Sequence, residues 1–137
     1  MIDCKDVRVG NWLYDGERTQ FPMYVRAVGE DYVYLDFEGN ESDLWESEPK
    51  DLNGIPITDK LLEALGFSYN GYGIWNKAQN DRRVSINIER TFVAIEAYKD
   101  RLCDSRCTCH GIKYLHQLQN LFYEISRTEF KIELEWK

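Results

Sequence analysis

The sequence predicts an α+β protein, in which a small SH3-like β-barrel is followed by an antiparallel sheet packed against one amphipathic helix. Three observations support this class: short alternating segments in the first third, a helical pattern at residues 112–126 and a strand pattern at residues 130–136. The chain has 137 residues, of which 43% are hydrophobic and 14% aromatic. Aromatic residues suit half-buried sheet surfaces, and this composition is sufficient for a packed core.

Short strands separated by turn residues fill the N-terminal region. In one of them Val33, Leu35 and Phe37 alternate with other residues and therefore share one face of the strand. Four or five strands within about 50 residues, joined by tight turns, are typical of a small barrel. We therefore expect an acidic SH3-like barrel over residues 1–57. Its strands are expected at residues 11–14, 23–28, 32–37 and 42–47, and residues 49–56 interrupt the regular pattern.

Residues 58–137 are expected to form the α+β domain. Thr58 suits the N-cap of a short helix, and Gly66 suits the left-handed residue that follows a helix. Residues 99–111 are polar and rich in cysteine, which predicts a loop. The expected elements are a helix at 58–65, a hairpin at 70–71, strands at 84–89 and 91–98, a helix at 112–126 and a final strand at 130–136.

Negative charge is concentrated in the N-terminal half. Up to Ile57 the chain has 13 acidic residues and 5 Lys or Arg, which gives −8, whereas the remainder has 11 and 12, which gives +1. An acidic half repels phosphate backbones and argues against nonspecific nucleic-acid binding. Arg82, Arg83 and Arg90 could form a patch for phosphate or an acidic partner, but three charges are too few to indicate nucleic-acid binding.

Three motifs occur in a fixed order: Gly-Asn-Trp at residues 10–12, Pro-Ile-Thr at 56–58 and His-Gln-Leu-Gln-Asn-Leu at 116–121. In these motifs the chain resembles a group of uncharacterised small proteins carried by gut bacteria and by their prophages and mobile elements. The resemblance spans nearly the whole chain, and its C-terminal motif is the most specific part. It implies a mobile-element context and no particular mechanism.

A cysteine-rich segment offers the only candidate metal ligands. Cys103, Cys107, Cys109 and His110 are four donors that zinc accepts. Their spacing departs from the two separated pairs of a structural zinc site, so thiols without a role remain the alternative. Arg101, Arg106 and Lys113 could lower the pKa of a thiol here.

No catalytic motif is recognised, and we expect no enzyme and no cofactor other than this candidate zinc. The sequence contains no Gly-rich phosphate loop and no nucleophile elbow. Glu46 and Glu48 share one face of a strand, as solvated strand residues commonly do. His116 has no acidic residue at a diagnostic spacing.

Two surfaces are candidates for binding a protein partner. One is aromatic and the other is the uncharged polar flank of the C-terminal helix, which could instead meet water or the N-terminal domain. We therefore expect a non-catalytic interaction module; the alternatives are an acidic mimic of nucleic acid that inhibits a nucleic-acid enzyme, and a zinc-dependent protein. The candidate residues are Trp12, Tyr14, Tyr32, Tyr34 and Trp45 on the aromatic surface and His116, Gln119, Asn120 and Tyr123 on the helix flank.

Location and assembly are predicted only in outline. The first residues lack the apolar core of a signal peptide, and no apolar run approaches the roughly 20 residues of a membrane helix. We expect a cytoplasmic protein with reduced thiols and no membrane contact. An exposed final strand would allow edge-to-edge dimerisation.

Overall fold

The computed structural model describes residues 6–16, 21–79 and 81–132. The chain divides into two compact units: the first comprises Met1–Pro56 and Tyr114–Leu121, and the second comprises Ile57–Lys113 and Phe122–Lys137. Each unit contains one five-stranded antiparallel sheet. The predicted α+β class, with antiparallel sheets and one main helix, is confirmed.

The first sheet has the strand order β4-β3-β2-β1-β5. Its core consists of residues that alternate inward along the strands, including Leu13, Val33 and Leu35, all fully buried. The register between β2 and β3 shifts between Val25 and Ala27. The strands are β1 at Trp12–Asp15, β2 at Pro22–Val28, β3 at Val33–Asp36, β4 at Trp45–Ser47 and β5 at Leu52–Gly54.

The first sheet is not shown to close into a barrel. β4 and β5 are its two edges, and no pairing joins them among the described residues. β5 was not predicted as a strand, because a 3₁₀ turn at Pro49–Asp51 precedes it and only Leu52 of its three residues is buried. The predicted strand at 42–47 begins only at Trp45.

Helix α1 at Asp59–Ala64 agrees with the expected helix at 58–65. The Oγ1 atom of Thr58 accepts a hydrogen bond from the backbone N–H of Leu61 at 3.2 Å. This side chain satisfies one of the free N–H groups at the helix start. Gly66 follows the helix with φ of +89°, the left-handed conformation that glycine adopts without strain.

The second sheet has the strand order β10-β9-β8-β7-β6 and is a simple succession of hairpins. Val84, Ile86, Val93 and Ile95 form the buried face of its two central strands. The hairpin predicted at residues 70–71 is present between the first two strands, with Gly71 at φ of +86°. The strands are β6 at Ser68–Tyr69, β7 at Trp75–Gln79, β8 at Arg82–Asn87, β9 at Phe92–Lys99 and β10 at Leu102–Cys109.

The cysteine-rich segment is a strand, and the predicted loop at 99–111 is wrong. β10 pairs with β9 from Leu102 to Cys109, except at Asp104, where the register shifts. Seven of its eight residues are exposed, so the segment lacks the hydrophobic alternation by which a strand is recognised. Backbone pairing with an apolar neighbour is enough to form it. The turn before it uses positive φ at Asp100 and Arg101 and contains no glycine.

Helix α2 at Leu115–Ser126 is the main helix and begins three residues later than expected. Its predicted apolar face is buried at Leu115, Leu118 and Phe122. Of the expected final strand, residues 130–132 are not in a strand and residues 133–136 lie outside the described part. Phe130 is nevertheless buried, with its ring 5.2 Å from that of Phe122.

No helix among the described residues is long and apolar enough to cross a membrane.

Candidate functional site

The first unit contains a cavity of about 680 Å³ at the edge of its sheet, which we call the acidic cavity. It lies where the end of β1 meets β4, the 3₁₀ turn and β5. Two aromatic rings and four carboxylates belong to its wall, together with one lysine. These residues are Tyr32, Trp45, Asp15, Glu46, Glu48, Asp51 and Lys50.

Asp15 and Trp45 fix one side of the acidic cavity. Asp15 ends β1 and is only 4% exposed, although it is an acid. The indole Nε1–H of Trp45 donates a hydrogen bond to the Oδ2 atom of Asp15. The ring of Trp45 also packs against the hydrophobic core of the first unit. A buried carboxylate needs such donors because it has lost its water.

A close backbone approach shapes the floor of the acidic cavity. The N–H of Gly16 donates to the carbonyl oxygen of Asp51 at 2.6 Å. A Cβ atom at residue 16 would lie 2.6 Å from that same oxygen. Only glycine therefore allows the end of β1 to reach the 3₁₀ turn without displacing the backbone.

The remaining charged residues stand at the rim. Glu46 is exposed in the middle of β4, opposite Tyr34 of β3. Lys50 Nζ lies 3.0 Å from Glu48 Oε2, and this hydrogen bond raises the pKa of Lys50. Four carboxylates against one ammonium leave the wall with an excess of negative charge. Concave acidic surfaces concentrate cations from solution.

Gln119 on the predicted polar flank of α2 is directed into its own unit. It is 1% exposed, its Oε1 accepts from the N–H of Trp12 at 2.9 Å, and its Nε2 donates to the carbonyl oxygen of Gly10 at 2.9 Å. A partner cannot reach this side chain without opening the first unit. The assignment of Gln119 to a partner surface is therefore wrong, and the alternative of contact with the N-terminal domain applies to it.

Asn120 also forms hydrogen bonds to the N-terminal segment of the first unit. Its Oδ1 accepts from Asn11 Nδ2 at 2.8 Å and from Arg8 Nε at 3.2 Å, and its Nδ2 donates to the carbonyl oxygen of Asp6 at 2.7 Å. These bonds join α2 to the segment that leads into β1. Asn120 thus has a structural role within the first unit.

His116 is buried as well, with 3% exposure, so it is not accessible to a partner either. Its Nδ1 atom has no hydrogen-bond partner among the described residues. Burial lowers the pKa of His116 to about 4, against a weaker opposing effect of Asp6. The ring stacks on that of Tyr114 at 5.9 Å. His116 is therefore neutral at pH 7.

Tyr32 and Trp45 line the acidic cavity, whereas Trp12, Tyr14 and Tyr34 of the same unit do not. Trp12 is half-buried against the ring of Tyr24 at 5.2 Å, and Tyr34 is half-buried on β3. Burial raises the pKa of Tyr14. Tyr123 belongs to the second unit and is half-buried.

The candidate zinc ligands do not converge on one point. The register shift in β10 places Cys103 beside Glu96, with Sγ and Oε2 3.6 Å apart, whereas Cys107 and Cys109 lie opposite Ile95 and Val93. These are opposite faces of the sheet. Among the described residues no group of three or more His, Cys, Asp or Glu could hold a metal ion.

At Cys103 the nearby Arg106 and Arg83 favour a lower thiol pKa, but the opposing effects are larger. Desolvation and the nearby Glu96 raise the pKa of this thiol.

The predicted arginine patch is also divided. Arg82 and Arg83 are adjacent on β8 and so point to opposite faces, and Arg83 Nη2 lies 2.8 Å from Glu96 Oε1 in an ion pair.

Sequence reasoning missed Asp15, Gly16, Lys50 and Asp51 in the acidic cavity. One signal was present: Asp15 follows the inward-facing Leu13 by two residues and therefore occupies an inward position. An acid at an inward position of a strand needs a specific partner.

No protein-family model, curated protein or solved structure matches the chain.

Proposed function

We propose that the protein is a non-catalytic interaction module whose first unit binds a positively charged segment of a protein partner in the acidic cavity. The observation that carries this proposal is the wall of the cavity, where two aromatic rings and four carboxylates border about 680 Å³. Carboxylates bind guanidinium and ammonium groups, and aromatic faces attract the same cations. A lysine or arginine side chain is therefore the ligand that suits this wall.

The chain itself provides an example of this chemistry. Lys50 reaches Glu48 at the rim of the cavity, where the two groups form an exposed ion pair. Its ammonium is also attracted by Asp51, but it is one lysine among four carboxylates of the wall. A ligand cation can therefore occupy the remaining negative region beside Tyr32 and Trp45 without displacing Lys50.

We also propose an SH3-like architecture for the first unit. The placement of β1 between β2 and β5 supports it, as does the irregularity in β2, because a bulge bends a strand. Small barrels bind peptides in grooves lined by aromatic residues. Tyr32 at 38% exposure and Trp45 would supply such a lining here.

The alternative functions are less well supported. A mimic of nucleic acid needs its carboxylates spread along a surface at phosphate spacing, whereas four of them here surround one cavity. A zinc-dependent function needs converging ligands, and Cys103 lies on the face opposite Cys107 and Cys109. A mobile-element origin and a cytoplasmic location remain proposals. The free thiols of Cys103, Cys107 and Cys109 support the cytoplasmic location.

Titration with a hexa-arginine peptide tests the proposed function. Tryptophan fluorescence should report saturable binding, because the ligand would sit against Trp45. We expect Glu46→Gln and Tyr32→Ala each to weaken binding about 3- to 30-fold, the effect of losing one rim interaction. Both side chains are exposed, so the fold should persist.

Two controls make the result specific. Glu41→Gln removes one exposed acid from the same unit but outside the cavity, and it should leave affinity unchanged within about twofold. A hexa-glutamate peptide should not bind. Equal weakening by Glu41→Gln and Glu46→Gln would mean that only net charge matters, and the proposal of a defined site would be wrong.

A further inference from the structure

A second cavity, of about 330 Å³, lies in the second unit, on the face of its sheet opposite the hydrophobic one. Ser85 of β8 and Ala94 of β9 are paired opposite each other and both belong to its wall. Because these two side chains are small and those around them are larger, the sheet surface is concave here. We call it the arginine cavity, after Arg83 and Arg106 in its wall.

The arginine cavity carries one positive charge in excess. Arg83 Nη2 lies 2.8 Å from Glu96 Oε1, and this hydrogen bond is the main reason why the pKa of Glu96 is lowered. Arg106 is opposite Glu96 on β10 and is exposed. It attracts Glu96 only weakly and forms no ion pair in the part of the chain that the structure describes. Its guanidinium group is therefore available for a carboxylate, which its planar donors match.

Two asparagines add hydrogen-bond donors to the same wall. The Oδ1 atom of Asn70 accepts from the backbone N–H groups of Tyr72 at 2.7 Å and Ile74 at 3.2 Å. The Oδ1 atom of Asn76 accepts from Ser85 Oγ at 2.6 Å. In both asparagines the acceptor is thus used within the chain, whereas the amino group has no partner among the described residues. The wall therefore offers donors to a ligand that brings acceptors.

An apolar surface completes the arginine cavity. Ile74 and Phe92 are half-buried in its wall, and Ala94 is only 1% exposed. The ring of Phe92 packs against that of His110, with 5.0 Å between the centroids, which fixes its position. Sites for small molecules combine an apolar lining with a few polar groups that orient the ligand, and they have volumes of about 300–1,000 Å³. The arginine cavity has this composition and lies at the lower end of this range.

We infer that the arginine cavity binds a small molecule that carries a single carboxylate next to an apolar body. Arg106 pairs with the carboxylate, and the amino groups of Asn70 and Asn76 supply further donors. The apolar body lies against Phe92. A phosphate suits the cavity less well, because its second negative charge would be repelled by Glu96, whose own partner is already in place.

NMR titration of the ¹⁵N-labelled full chain with 3-phenylpropionate tests this inference. The backbone amides of Asn76, Ser85 and Glu96 should shift together and saturate, with a Kd of about 1 mM or lower. The uncharged 3-phenylpropanamide, acetate and inorganic phosphate should each bind at least about tenfold more weakly, since each lacks one of the two matching features or carries an excess charge. No saturable shift, or equal affinity for any of these three probes, would overturn the inference.

A pair of arginine variants locates the site. Arg106→Gln should weaken binding of 3-phenylpropionate at least about tenfold, because a charged hydrogen-bond donor is lost. Arg90→Gln removes an exposed arginine of the same unit outside the cavity and should leave the Kd unchanged within about twofold. Equal effects of the two variants, or an unchanged Kd in Arg106→Gln, would contradict the inference. If Arg106→Gln does not fold, the comparison of 3-phenylpropionate with its amide decides.

The arginine cavity is independent of the proposed function. All its residues lie in the second unit and its excess charge is positive, whereas the acidic cavity lies in the first unit. Failure of 3-phenylpropionate to bind therefore leaves the binding of hexa-arginine unaffected.

Discussion

The indole N–H of Trp45 donates a hydrogen bond to the buried carboxylate of Asp15, 30 residues earlier in the chain. This one contact fixes an aromatic ring and a negative charge in the same wall. It also ties β4 to the end of β1, although these strands are not neighbours in the sheet. This hydrogen bond therefore fixes one side of the acidic cavity, and it also contributes to the stability of the first unit.

Trp45→Phe should lower the free energy of unfolding by about 1–3 kcal/mol, the usual cost of withdrawing a donor from a buried polar group. Urea unfolding followed by circular dichroism measures this. Trp75→Phe is the matched control, because Trp75 Nε1 also donates to an aspartate, Asp59, but in an exposed position. Its cost should be below about 1 kcal/mol. Equal costs for the two variants would contradict a special role of the buried pair.

Gln119→Leu should destabilise the protein by about 2–4 kcal/mol. The change leaves the N–H of Trp12 and the carbonyl oxygen of Gly10 without their partner inside the first unit, and each buried unpaired group is costly. Glu124→Gln, at an exposed position of the same helix, should change stability by less than about 0.5 kcal/mol. A neutral effect of Gln119→Leu would mean that these hydrogen bonds contribute little.

Acid should weaken the fold through His116. Its pKa is about 4 in the folded protein and about 6.5 when unfolded, so the unfolded chain binds more protons between these values. Stability is therefore full above pH 6.5 and falls as the pH drops to 4, by about 2–4 kcal/mol. Because carboxylates also titrate at the lower end of this range, the relevant quantity is the difference between the wild type and His116→Phe. In His116→Phe the free energy of unfolding should lose this part of its dependence on pH. Identical pH profiles of that free energy in the two proteins would show that His116 does not contribute.

Lys50→Met should strengthen binding of a cationic peptide about 2- to 5-fold. The substitution removes the ammonium that lies 3.0 Å from Glu48 and leaves that carboxylate for the ligand. Isothermal titration with hexa-arginine at low ionic strength measures the change. Lys60→Met removes an exposed lysine of the second unit and should have no comparable effect. Weaker binding by Lys50→Met would indicate that the ligand occupies another site.

The parts of the fold predicted from the sequence are those with a clear hydrophobic period. β3 alternates at Val33 and Leu35, and α2 repeats its apolar residues at Leu115, Leu118 and Phe122. β10 has no such period because almost all of it is exposed. A strand held by backbone hydrogen bonds at a sheet edge leaves little trace in side-chain hydrophobicity.

Of the residues that line the acidic cavity, sequence analysis singles out Tyr32 and Trp45 for a partner surface and interprets Glu46 and Glu48 as solvated strand residues. The polar side of α2 was misjudged for Gln119, because a buried amide that bonds backbone groups has the same sequence signature as an exposed one. The sequence pattern gives the face of the helix but not which distant segment covers it. Asp15 could be placed inward by alternation, but its partner Trp45 could not, since nothing local relates the two.

The most direct test of the acidic cavity is a titration of ¹⁵N-labelled protein with hexa-arginine, followed by NMR. The indole N–H resonance of Trp45 and the backbone amides of Tyr32, Glu46 and Asn53 should shift together and saturate at one peptide per chain. The indole resonance of Trp75, in the second unit, serves as the internal control and should not move. Shifts confined to residues outside the cavity, or no saturable shift at all, would contradict the proposal that this cavity binds a cationic segment.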